Sequence, residues 1–69
     1  MKVIEKLASM QGRKDDTPNQ ELAKEIAQNQ DEEAIGVIVQ NLQNKDKNIQ
    51  SDCIKVLYEI GYINPQLIQ

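Results

Sequence analysis

The 69-residue chain has no histidine, no phenylalanine and no tryptophan, and its single cysteine is Cys53. Without histidine, the usual acid–base group near neutral pH and the commonest metal ligand are both missing. One cysteine excludes an internal disulfide. No run of eighteen apolar residues occurs, so nothing reads as a membrane span. Cations are also few: eight Lys and Arg stand against eleven Asp and Glu, for a net charge of −3. Nucleic acid is held mainly by Lys and Arg on phosphates, so neither nucleic acid nor membrane is expected as a partner. The opening Met1-Lys2-Val3-Ile4-Glu5-Lys6 interrupts its apolar residues with charges at once, unlike a secretory signal. A lone thiol without an export signal fits a reducing cytoplasm. No cofactor and no metal are expected.

A chain this short buries only roughly 60% of the surface exposed by its unfolded form. With no disulfide or metal to staple it, the support left is oligomerisation or packing against further protein. What apolar content there is comes from Ile, Leu, Val and Ala, with only Tyr58 and Tyr62 as aromatics. An aliphatic core of this kind suits helix-on-helix packing.

The spacing of those residues predicts an all-α chain of four helices. Over residues 2–10, Ile4, Leu7 and Ala8 share one face, and Gly12 is a stop signal. Thr17, Pro18 and Gln20 read as a capping box with a first-turn proline, opening a helix whose stripe is Leu22, Ala23, Ile26 and Ala27. Asp31-Glu32-Glu33 opens a third helix, with the acids favoured by the helix dipole. Its stripe is Ile35, Ile38, Val39 and Leu42, and Gly36 offers close approach to a neighbouring backbone. The fourth helix starts after Asp46 or Asn48, runs to about Ile60 and is closed by Gly61. Asn64-Pro65 then begins a fifth helix that has one turn of chain left.

The fourth helix has the widest apolar face. At roughly 100° per residue from Ile49, the residues Val56, Ile60, Cys53 and Leu57 fall between about −20° and 80°, Ile54 near 140° and Tyr58 near 180°. The apolar arc spans about 200°, against roughly 100° for an ordinary surface helix. A helix of this kind requires neighbours on two sides. The candidate contact residues are Ile54, Tyr58, Tyr62, Ile63, Leu67 and Ile68.

Sliding the chain by 34 residues aligns Val3-Ile4 with Val37-Ile38 and Glu25-Ile26 with Glu59-Ile60. The stretch from Leu42 to Gly61 resembles a HEAT repeat: an outer helix ending in Leu, a polar turn with Asp46, then Ile49, Cys53, Val56, Leu57, Ile60 and Gly61 along the inner helix. Gln50 stands where that family has Arg. The resemblance covers residues 34–69 and implies an α-α superhelix of stacked hairpins. Its units would be 1–30 (repeat-like), 31–62 (the HEAT-like repeat) and 63–69 (the stub of the next), as an N-terminal fragment of a longer solenoid. It also implies protein binding more often than catalysis.

Candidate chemistry is sparse. Cys53 lies on the core stripe with no base to activate it. The acidic runs Asp31-Glu32-Glu33 and Asp15-Asp16 lack the alternating layout of a calcium loop, and Gly12-Arg13-Lys14 falls short of a phosphate loop. The expectation is therefore a non-catalytic protein-interaction module that meets a protein partner or a second copy of itself. Two rivals are a fragment of a HEAT-like glycosylase or lyase whose active site lies in absent sequence, and a small helical DNA-binding regulator. Against the second, Lys55 shares its polar arc with Asp52 and Glu59.

Overall fold

The computed structural model describes residues 3–12 and 15–67. The expectations placed on Arg13, Lys14 and Ile68 fall outside them. Among the described residues the regular structure is all helical, with no strand and three α-helices: α1 (Thr17–Asn29), α2 (Glu32–Gln40) and α3 (Lys47–Ile63). The expected first helix is instead two short 3-10 turns, Val3–Lys6 and Ser9–Gln11. The reason lies in where the backbone donors go. In an α-helix the Ala8 and Ser9 amides would donate to carbonyls four residues earlier. Here the Ala8 amide donates to Asn19 Oδ1 at 2.9 Å and the Ser9 amide to Asp52 Oδ2 at 2.9 Å. Side chains distant in sequence have displaced the helical ladder. Gly12 ends the segment with a left-handed φ of 69°, where glycine meets no steric penalty.

The start of α1 differs from a Thr17 capping box. Thr17 is already helical, and its amide donates to Asp15 Oδ1 at 3.0 Å. Asp16 precedes the helix, and its carbonyl accepts from Gln20. Pro18 occupies the first turn, where its missing N–H has no partner to lose. At the other end Gln30 adopts a left-handed φ of 51°. The amides of Gln30 and Asp31 bond back to Ala27 and Ile26 in a Schellman closure. Asp31 serves twice, because its side chain also accepts from the Ala34 amide and caps α2.

Ala34 and Ile38 carry the buried stripe of α2, with Ile35 and Val37 partly buried. Val39 was expected in the core but lies a further 100° or so around from Ile38 and is 48% exposed. Gly36 faces open space, and no backbone approaches it. The helix tightens into a 3-10 turn at Asn41–Gln43. Asn41, Asn44 and Asp46 then knit the turn: Asn41 Nδ2 donates to the Val37 carbonyl, Asn44 Nδ2 to Asn41 Oδ1, and the Asp46 amide to Asn44 Oδ1.

Asp46 opens α3 by accepting from the Asn48 amide. The helix runs through Gly61 to Ile63, beyond the expected stop. Pro65, which cannot extend a helix, sets the limit. The chain after it makes one 3-10 turn, Pro65–Leu67, and Leu67 packs back on the core. The core draws Val3 and Leu7 from the N-terminal turns, Leu22, Ala23 and Ile26 from α1, Ala34 and Ile38 from α2, and Ile49, Cys53, Val56 and Ile60 from α3. Its most extensive helix contact is α1 on α3. Leu57, expected at full burial, is only partly buried at the margin.

Ile60→Ala is expected to cost about 2–5 kcal/mol, as for a large buried aliphatic residue, whereas Tyr58→Ser should change stability by under about 0.5 kcal/mol. Urea melts of the two variants check this. Similar losses at both would place the wrong face of α3 in the core.

Candidate functional site

Two features lie outside the aliphatic core, a buried polar cluster and an exposed apolar face, both involving α3. The cluster is built where the first turn of α1 meets the second turn of α3. Asn19 is fully buried and Asp52 nearly so. Asn19 Oδ1 accepts from the Ala8 amide, and Asn19 Nδ2 donates to Asp52 Oδ1 at 2.9 Å. Asp52 Oδ2 accepts from the Ser9 amide. Three segments thus meet at one carboxylate. A shallow cavity of about 400 Å³ opens beside it, lined by Ser9, Gly12, Asp16, Asn48, Ser51, Asp52 and Lys55. Lys55 forms an ion pair with Asp16 at its rim, at 3.1 Å.

The electrostatics suit structure better than acid–base work. Burial raises the Asp52 pKa, but the Ser9 hydroxyl, the Ser9 amide, the Asn19 amide and the Lys55 charge together outweigh it. The carboxyl therefore titrates below its ordinary 3.8. At neutral pH it is a carboxylate with its lone pairs engaged, not a base poised near 7. The Ser9 hydroxyl is buried beside the carboxylate, near enough to favour its charged form but outside good hydrogen-bond geometry. Burial pushes the neighbouring Cys53 thiol up to about 11, with the Asp52 charge adding to the shift. It stays protonated and weakly nucleophilic at neutral pH. Among the described residues no group of three or more His, Cys, Asp or Glu side chains is gathered to hold a metal. None of their helices is long and apolar enough to cross a membrane.

The exposed face lies on the side of α3 turned away from the core. Ile54 is 47% exposed, Tyr58 77% and Tyr62 91%, whereas Ile63, 44% exposed at the helix end, lies about 180° around from Ile54 and does not share that face. Ile54 and Tyr58 join Leu42 and Leu57 around an open apolar cleft of about 280 Å³. Of the contact residues named from sequence, Leu67 is half-buried against the chain's own core and contributes less. Val39 is an exposed aliphatic residue that the sequence reading placed inside.

The reading of the helical stripes also missed Asn19 and Asp52. Their positions carried a signal that their polarity concealed. Asn19 stands three and four residues before Leu22 and Ala23, and Asp52 three after Ile49 and four before Val56. Both therefore continue a buried stripe.

Asn19→Ala leaves the Ala8 amide and one Asp52 oxygen unpartnered and should cost about 1–3 kcal/mol. A depressed folded-state pKa means that the Asp52 contribution is complete above the unfolded value. It is lost as pH falls through the lower, folded one. The stability gap between wild type and Asp52→Asn should therefore narrow as pH drops below about 4. Denaturant melts at several pH values read this directly, and a constant gap would mean that the carboxylate is not held ionised by the cluster. No family model matches the chain, and no curated protein or solved structure matches it, so the functional reading rests on its own residues.

Proposed function

We propose that the chain is a non-catalytic protein-interaction module of HEAT-repeat kind, working in the cytoplasm and docking its partner on the outer face of α3. One observation carries this reading. The core behind α3 is closed by Leu7, Leu22, Ile26, Ile38, Val56 and Ile60, yet Ile54, Tyr58 and Tyr62 stand in water in front of it. Each large apolar side chain so placed forgoes about 1.5–3 kcal/mol of burial. Tyrosine suits such a face because it carries a large apolar ring with few rotatable bonds and a hydroxyl that tolerates water. The HEAT-like pattern along Leu42–Gly61 supports the same reading, since stacked helix pairs of that kind present helix faces to other proteins.

A photo-crosslinking residue at position 58 tests the proposal, with one at the exposed Lys24 on α1 as the control. In cells of the source organism, adducts are expected from 58 and not from 24. They should disappear when Ile54→Glu is added, with the helix content unchanged by circular dichroism. Equal yields from both positions, or none from 58, would contradict it.

A further inference from the structure

Building on that reading, we infer that the outer face of α3 is occupied by α3 of a second copy, antiparallel, about a two-fold axis passing between Ile54 and Tyr58. The spacing points to a helix as the partner. Lys47, Ser51, Ile54, Tyr58 and Gly61 recur at intervals of four, three, four and three, the 3.5-residue repeat of a helix that packs along another helix. Two-fold symmetry then pairs each position with its mirror. Ile54 meets Tyr58 of the second copy, and Ser51 meets Gly61, so large side chains fill the centre and small ones let the ends close. Leu42 and Leu57 wall the cleft beside Ile54 in which the opposing Tyr58 ring lies.

Charge favours a second copy and sets the direction. The chain carries −3 and is 28% charged, so copies repel at large. The strip running from Gln50 through Ser51, Ile54, Leu57, Tyr58 and Gly61 to Tyr62 nevertheless holds no charged residue except Lys47 at the start of the helix. It is self-complementary without any ion pair. Lys47 is the first residue of α3, where its charge opposes the positive end of its own helix dipole. In the antiparallel pair it lies over the last carbonyls of the opposing α3, the negative end. In a parallel pair it would face a second Lys47. Area sets the strength. Two largely exposed tyrosines offer about 150–250 Å² each, and with the flanking aliphatics the face falls at or below the roughly 800 Å² per partner of a standard interface. The pair is therefore a reversible one.

Sedimentation equilibrium from about 1 µM to 1 mM, the range of weak complexes, reads the mass. Wild type should climb from 7.9 kDa toward twice that value. Ile54→Glu and Tyr58→Lys, each alone, should weaken the dimer about 30-fold or more, the scale of a central anchor, with circular dichroism unchanged. Mixed one to one, the two variants should recover the dimer, because the antiparallel axis sets Glu against Lys at one contact and leaves the native Ile–Tyr contact at the other. A wild-type chain that holds 7.9 kDa at 1 mM overturns the inference, as does a dimer indifferent to both substitutions. A wild-type dimer whose variants are not rescued by mixing overturns the antiparallel axis. If wild type stays monomeric while position 58 still crosslinks to a different protein, the interaction module stands without the dimer. If both fail, both readings fall.

Discussion

The rest of the structure depends on one buried carboxylate. Asp52 ties the Ser9 amide and the Asn19 side chain to α3, and Asn19 in turn holds the Ala8 amide. A charge can stay in a protein interior only when its lone pairs are engaged. Once Asp52 is inside, the N-terminal segment and the first turn of α1 must therefore come to it. This explains why residues 3–11 give up an α-helix for two 3-10 turns. The Ala8 and Ser9 amides in their middle are consumed by distant side chains, and Val3 and Leu7 are drawn into the core in compensation.

The same carboxylate sets how α3 sits. Measured around the helix from Ile49, the buried arc runs from Asp52 near −60° through Val56 and Ile60 to Cys53 near 40°, at about 100° per residue. The apolar stripe from Val56 to Leu57 alone would centre that arc about 40° further round, toward Leu57. Turning α3 to bury Leu57 fully would pull Asp52 into water and strand the Ser9 amide. The helix accepts a half-buried Leu57 and an exposed Ile54 and Tyr58 instead. The exposed apolar face is thus the counterpart of the buried polar cluster on the opposite side of the same helix. The surface ion pairs, Lys6 with Glu25 and Lys55 with Asp16, are about half exposed and add little to this arrangement.

Much of this was legible in the residues, for identifiable reasons. Local rules dominate where local contacts dominate. Asp31 and Asp46 are visible as helix starts and Gly12 as a stop, whereas Gly61 reads as a stop that α3 runs through and Asn64-Pro65 as a helix start that yields one 3-10 turn. The all-helical class followed from aliphatic residues at spacings of three and four. The exposure of Ile54 and Tyr58 is legible too, since an apolar arc wider than its neighbours can cover must leave part of itself outside. The illegible parts are those decided by pairs far apart in sequence. Nothing within residues 3–11 announces that Asn19 and Asp52 will take their amides, so an amphipathic pattern there implies a helix that does not form. Val39 and Leu57 were misplaced for a related reason. Apolar identity says that a residue can be buried, but the polar contact on the far side of α3 decides how far the helix turns.

Native-state hydrogen exchange at the Ala8 and Ser9 amides tests this dependence most directly, because both donate only to side chains more than ten residues away. If the polar cluster organises the fold, both amides exchange as slowly as those of Val56 and Ile60 in the middle of α3. In Asn19→Ala, protection is then lost across residues 3–12 while α3 keeps its own. Fast exchange at Ala8 and Ser9 in the wild-type chain, with α3 protected regardless, would contradict it and reduce the cluster to a surface detail.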